Sequence, residues 1–357
     1  MKKVFFAFVL LALINGCDTS SKENKKRPLV RRKKTEVLSP KRGSKITSGD
    51  TLLIHVTPKT PDLAIQSLVM TGESLKHSVA LSNDQLSFDS KAMPVGFQSL
   101  LVKVQLSDGT TETHHLTIQV LSDIIPTKYS YRLVKKYPHD TDSYTQGLFF
   151  HQDTLYEGTG NWEDSELHKI DWRTGKVLSR QALGNNEFGE GITIWNDKIY
   201  QLTWKARKGY VYDLNFKRTN SFNYPTEGWG LTTMGDTLVM SSGSNYLHFK
   251  NPFDFSEYAS IQVYDQDGPV DSLNELEYVD GKIWANVYQE DYIAIIDPTT
   301  GKVTGKLDLT GIFDRSSYHQ EVDVLNGIAY HPDTQTYFVT GKWWPYLYEI
   351  QISSPNS

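Results

Sequence analysis

The segment NNEFGEGITIWNDKIYQLTWK, Asn185 to Lys205, sets one acid, Glu190, between Gly189 and Gly191, just ahead of an apolar alternating run. A carboxylate with no side chain on either neighbour belongs to a tight surface turn or to the mouth of a strand. The same kind of start recurs in TQGLFF, GWGLTT, LNELEYV and LNGIAYH. Aligned on these starts, Gln146, Glu190, Trp229, Asn274 and Asn326 are 44, 39, 45 and 52 residues apart. After each comes a turn and a second run (DTLYEGTG, DKIYQLTW, DTLVMSS, GKIWANVY, QTYFVTGKWW), then a third, and in all but the last a fourth. Four strands in roughly 45 residues is the period of a propeller blade. The last repeat lacks its outer strand, whereas YSYRLVKKY, Tyr129 to Tyr137, precedes the first repeat without a partner of its own. That run can close the ring. Residues 129–352 therefore read as a five-bladed β-propeller.

The rest of the chain agrees with an all-β protein. Its 357 residues suit about two or three domains, and 20 Tyr, 15 Phe and 8 Trp favour strands. The net charge of −5 by itself argues neither for nor against nucleic acid. Lys2 and Lys3 precede an apolar run, Val4 to Ile14, too short to cross a bilayer. It ends at Gly16-Cys17, which resembles a bacterial lipoprotein signal. Residues 1–16 are expected to be a signal peptide, and Cys17, the one cysteine, to be lipidated. Residues 17–45 read as a basic disordered tether. Residues 46–125 carry short alternating runs, with Ser107-Asp108-Gly109-Thr110 as a hairpin turn, and suit a small immunoglobulin-like β-sandwich. His114 and His115 are adjacent and so point to opposite faces, which is unsuited to a shared metal.

In a propeller the first strand of each blade lines the axis. Gln146, Glu190, Trp229, Asn274 and Asn326 therefore ring one mouth of the channel. Trp204, Trp284 and Lys342 follow in second strands, 14, 10 and 16 residues after their ring residues. Together they describe an aromatic-walled pocket with one carboxylate and one amine, able to orient a small polar group. The sequence has no Cys/His zinc pattern, no glycine-rich phosphate loop, and no Ser/His/Asp arrangement in matching register.

The stretches YPHDTDSYTQGL, FGEGIT, LTWK, EGWGL, LNELEYVDGKIWANVY and LNGIAYHP with VTGKWWPYLYEI resemble the plant and bacterial type of glutaminyl-peptide cyclotransferase. The resemblance covers about residues 131–350. It implies a five-bladed propeller that converts N-terminal glutamine to pyroglutamate with release of ammonia, and does so without zinc. It places the family's catalytic glutamate on Glu190, and pocket residues on Gln146, Phe188, Trp204, Trp229, Asn274, Trp284 and Lys342. Tyr144 stands where phenylalanine is usual, and Ser242, in MSSGS, where aspartate is common. Peptides or proteins beginning with Gln are the expected substrates, and a membrane is the expected partner through the lipid anchor. No nucleic acid and no cofactor are expected, and a structural cation in the channel is left open. The protein is expected to be exported and held on a bacterial membrane.

On these residues the expected chemistry is a proton shuttle by Glu190, from the attacking α-amine to the departing nitrogen. Lys342, Asn274 or Gln146 would meet the tetrahedral oxygen. Tyr144, Phe188, Trp204, Trp229, Trp284 and Asn326 would bind substrate. A calcium-dependent propeller lactonase and a non-enzymatic periplasmic binding propeller are the alternatives. The first normally needs several axial acids where this ring has one.

Overall fold

The structure, a computed structural model, describes residues 32–353 except 73, 74, 76–78, 82, 83 and 319, with the backbone alone described at 79–81 and 317. The signal peptide, Cys17 and most of the tether lie outside these residues.

The N-terminal unit is a sandwich of two sheets. Thr35–Ser39, Thr51–Pro58 and Gln85–Asp89 form one, and Ser44–Thr47, Thr111–Leu121, Gly96–Leu106, Ile65–Gly72 and Val79–Leu81 the other. Alternation along Gly96–Leu106 is strict, every second residue being buried, so one face supplies Leu100, Val102 and Val104 to a core shared with Leu52, Ile54 and Ile118. His114 is buried and His115 exposed, as their adjacency requires. The tether expected to reach residue 45 ends earlier, because Thr35–Ser39 and Ser44–Thr47 are strands. Thr35 is anchored by its hydroxyl, which donates to Glu112 Oε2 at 2.6 Å. The basic run just upstream conceals this short strand in the sequence.

Five four-stranded blades follow. Blades I to III pair their strands in chain order, beginning with inner strands Thr145–His151, Gly189–Trp195 and Leu231–Met234. Blade IV begins at Leu273–Val279 and blade V at Leu325–His331. The inner strands touch in sequence, and that of blade V closes on that of blade I. Burial falls from axis to rim: inner strand Thr145–His151 is almost wholly buried, while outer strand Lys176–Ala182 is mostly exposed. Inner strands are covered on both faces by neighbouring blades, so they read as near-continuous apolar runs.

Thr127–Pro138 supplies the missing outer strand. It pairs antiparallel with Tyr346–Ser353, from Tyr346↔Pro138 to Ser353↔Ser130. Its first residues also pair in parallel with blade IV, Gly305↔Thr127 to Leu307↔Tyr129, joining blades IV and V in one eight-stranded sheet. The ring is closed by a strand from the N-terminal side, as the repeat count requires.

The glycine after Glu190 is explained by crowding at the axis. A Cβ on Gly191 would lie 2.6 Å from the Leu231 nitrogen and the Trp229 oxygen, and the Gly191 N–H donates to that oxygen at 2.6 Å. Only glycine permits adjacent inner strands to approach so closely. Below this level Glu275, fully buried, accepts from Ile328 N at 2.9 Å and Leu148 N at 3.3 Å. One carboxylate thus ties blade IV to blades V and I across the channel.

Candidate active site

Four of the five inner strands are irregular where they start. The register slips between Thr145 and Gly147, Gly189 and Ile192, Leu273 and Leu276, and Leu325 and Ile328. A bulge re-aims the side chain it carries, and these four carry Gln146, Glu190, Asn274 and Asn326.

A cavity of about 260 Å³ opens at this mouth. Blades I to IV contribute aromatic walls: Tyr144 before blade I, Phe188 and Trp204 around blade II, Trp229 from blade III and Tyr288 from blade IV. Blade V contributes Lys342 instead. Gln146, Glu190 and Asn274 form the polar part of the lining. Phe188 lies edge-on to Trp204 at 5.6 Å and to Tyr144 at 6.0 Å. Trp229 meets Tyr288 edge-on at 5.7 Å. The Phe188 and Trp229 rings lie so close over Gly160 and Gly243 that a Cβ would come within 2.4 and 2.5 Å of them.

The charges of the site are buried and do not pair. Glu190 is 4% exposed and Lys342 is 3% exposed. Among the described residues neither side chain makes a hydrogen bond or an ion pair. Burial pushes the Glu190 carboxyl well above its ordinary value, Lys342 draws it back down, and the Glu227 carboxylate adds to the rise. Burial pushes the Lys342 amine down, while Glu190 and Asp323 hold it up. The ammonium rests on ring faces, 4.4 Å from the Tyr144 centroid and 5.4 Å from that of Tyr288. A buried acid and a buried amine, each without a partner, mark a place where a ligand completes the hydrogen bonding.

The neighbouring polar groups are held in set orientations. Asn326 Nδ2 donates to Gln146 Oε1 at 3.1 Å and to the Thr145 carbonyl at 3.0 Å. With its oxygen occupied, Gln146 presents its NH₂ to the cavity. Asn274 Oδ1 is buried without a hydrogen-bond partner. Glu227 Oε2 accepts from Trp204 Nε1 at 2.7 Å and from Trp229 Nε1 at 3.3 Å, fixing two indoles with one carboxylate. Tyr144 donates its hydroxyl to Asp323 Oδ2 at 2.9 Å, which uses the group that phenylalanine would lack.

Two expected pocket residues lie elsewhere. Trp284 is in mid-strand, paired with Glu277, and packs against Tyr337 at 4.7 Å in the core between blades IV and V. Asn326 is fully buried behind Gln146 and does not line the cavity. Tyr288, Glu227 and Asp323 were not read from the sequence. Tyr288 had a signal, since it follows Asn274 by 14 residues, as Trp204 follows Glu190. Gly160 and Gly243 keep the same offset from Gln146 and Trp229.

Fold and cavity define a five-bladed propeller with an axial, aromatic-walled pocket holding one acid and one amine. Residues 102–352 match the model of a family described as glutamine cyclotransferase, and the chain belongs to that family. It is 39% identical over 230 residues to a glutaminyl-peptide cyclotransferase of Arabidopsis thaliana, covering 63% of this chain and 72% of that protein. It is also similar to the solved glutaminyl cyclase of Myxococcus xanthus, with a TM-score of 0.61 and 33% identity, over 64% of this chain and 99% of that one.

Proposed function

We propose that the chain is a glutaminyl-peptide cyclotransferase that closes N-terminal glutamine to pyroglutamate and releases ammonia, with Glu190 as its proton shuttle. The observation that carries this reading is the unpaired, buried Glu190 carboxyl facing the unpaired Lys342 amine across one small cavity. About 260 Å³ suits a single glutamine side chain with its α-amine. The aromatic walls hold that side chain curled, so the rotamer entropy that slows the free peptide is spent on binding.

The α-amine nitrogen attacks the γ-carboxamide carbon. Glu190 accepts a proton from that nitrogen as the C–N bond forms, and delivers it to the amide nitrogen, which leaves as ammonia. Such general acid–base catalysis is worth about 10²- to 10⁴-fold. A carboxyl raised by burial loses and regains a proton more evenly near neutral pH than an ordinary one. The Gln146 NH₂ and the Lys342 ammonium are placed to meet the tetrahedral oxygen, each worth roughly 3–4 kcal/mol if well aligned. Asn274 adds a second amide to the lining. The cavity lining holds one carboxyl and one amine and no His or Cys, a poor nest for a metal ion, so the reaction is zinc-independent in this reading.

The protein is further proposed to be exported and lipid-anchored through Cys17 on a bacterial membrane, acting there on peptides or proteins that begin with Gln and not on nucleic acid. The support is the short apolar run ending at Gly16-Cys17. Cys17→Ser should move the protein to the soluble fraction.

Coupled detection of ammonia from a short Gln-initiated peptide, with and without a chelator, tests the activity. Ammonia in equal amounts with stoichiometric pyroglutamate supports it. No release, or release abolished by the chelator, contradicts it.

A further inference from the structure

Blade III carries a second chain of reactive side chains outside the axial cavity. Ser242 Oγ lies 3.1 Å from His248 Nε2, and His248 Nδ1 lies 3.1 Å from Glu257 Oε2. Ser242 follows the second strand Thr237–Ser241, His248 is on the third strand Tyr246–Lys250, and Glu257 opens the fourth, Glu257–Gln262. The antiparallel pairing of the last two, His248↔Ser260 and Lys250↔Glu257, brings the three together. A search for matching positions in successive repeats cannot find a group confined to one blade.

The arrangement is that of nucleophile, base and orienting acid. With the Nδ1 proton directed at Glu257, Nε2 is left to accept from the Ser242 hydroxyl, the tautomer being assigned from these partners. The protonation states suit that order. Burial pushes the His248 imidazole down, towards its neutral form. Burial pushes Glu257 up, but Lys250 and His248 outweigh it and keep the carboxyl below its ordinary value. Lys250 Nζ donates to the same Oε2 at 2.8 Å, which pins the acid. Ser242 is half-buried, so its hydroxyl is not sealed from solvent. Among the described residues the backbone N–H groups of Gly243 and Ser244 have no acceptor. The N–H of the residue after the nucleophile is a recurrent oxyanion donor.

We propose that Ser242 is the nucleophile of a second, acyl-transfer site on blade III, one that takes small activated carboxylic esters. Ser242 Oγ forms a bond to the acyl carbon while its proton passes to His248 Nε2. The carbonyl electron pair moves to oxygen, facing the Gly243 and Ser244 N–H groups. Collapse breaks the bond to the alkoxy group, which leaves as the alcohol with the proton from His248. Water then attacks the acyl-serine, giving its proton to His248. The acid departs and the Ser242 hydroxyl is restored, so the balance is ester plus water to acid plus alcohol. Ser242 does not line the cyclisation cavity, and the two activities should separate.

The test uses the full chain with a fluorophosphonate probe, which forms a Ser–P bond with loss of fluoride, and with p-nitrophenyl acetate. Peptide mass mapping should find the adduct on Ser242. Ser242→Ala should abolish it. His248→Gln should slow both labelling and ester hydrolysis about 100-fold or more, and Glu190→Gln should leave both unchanged. Thermal unfolding of each variant guards against a folding defect. Wild-type protein that is not labelled, labelling at another residue, or undiminished rates in Ser242→Ala or His248→Gln would overturn the proposal.

Discussion

Asn326 Nδ2 donates to Gln146 Oε1 at 3.1 Å, and the same nitrogen is tied to the Thr145 carbonyl at 3.0 Å. One buried amide thereby decides which end of another faces the cavity. Asn326→Asp cannot donate, so Gln146 would be free to turn its oxygen towards the substrate. The expected result is a loss of roughly 10- to 100-fold in kcat/KM, in line with one misdirected donor. Steady-state kinetics on a Gln-peptide, with unfolding measured alongside, checks this. Unchanged kinetics would remove Gln146 orientation from the account.

Tyr288 and Trp284 should behave oppositely. Tyr288→Ala opens the cavity wall and should raise KM with a small change in stability. Trp284→Ala removes a core ring between blades IV and V and should cost about 3–5 kcal/mol of stability, with catalysis at low temperature little altered. Chemical denaturation and kinetics on both variants separate the two roles.

The pH dependence should follow the charges around Glu190. Attack needs the Glu190 carboxylate and a neutral α-amine, so the acid limb of kcat/KM carries the Glu190 titration together with that of the substrate amine, and only the first should move with the enzyme's charges. Glu227 raises that pKa and Lys342 lowers it. Glu227→Gln should therefore move the acid limb to lower pH, and Lys342→Met to higher pH, with a lower rate throughout. Profiles on a Gln-peptide read both shifts. A limb that stays in place in both variants would mean that another group titrates.

Much of this was legible in the sequence because propeller blades repeat. The starts at Gln146, Glu190, Trp229, Asn274 and Asn326 gave the strand frame and the ring, and the orphan run before blade I gave the closure. The errors arose where residue type outweighed register. Trp284 looked like a cage residue because it is tryptophan, yet its offset of 10 from Asn274 places it in mid-strand, while Tyr288 at 14 reaches the loop at the mouth. Glu227 and Asp323 were missed because they act through contacts made between segments, with Trp204 and Tyr144, and no local pattern announces these. Ser242, His248 and Glu257 were hidden for the same reason, since strand pairing alone brings them together.

Ring closure should depend on a buried acid in the second strand of blade I. Glu157 is fully buried and accepts from Thr145 Oγ1 at 2.6 Å, with His139 Nε2 at 3.1 Å. His139 Nδ1 in turn meets the Trp344 carbonyl at 2.7 Å, linking blade I to blade V. Burial pushes Glu157 up, but pairing with His139 and His168 outweighs it and holds the carboxyl far below its ordinary 4.5. A depressed carboxyl contributes stability above its unfolded-state value, so that contribution is lost as pH falls below about 4.5. Glu157→Gln should lower stability by about 3–5 kcal/mol at neutral pH and flatten the acid limb of the stability profile. Denaturation at several pH values would show whether it does.

The central claim is that Glu190 moves the proton, and Glu190→Gln tests it most directly. The amide keeps the size of the side chain and its place between Gly189 and Gly191, but it cannot accept and return a proton at neutral pH. Ammonia release and pyroglutamate formation from a Gln-initiated peptide should fall by about 10²- to 10⁴-fold. Peptide binding, followed by quenching of the cavity tryptophans, should stay within a few-fold of wild type. A Glu190→Gln protein that still cyclises the peptide at near the wild-type rate would contradict the account.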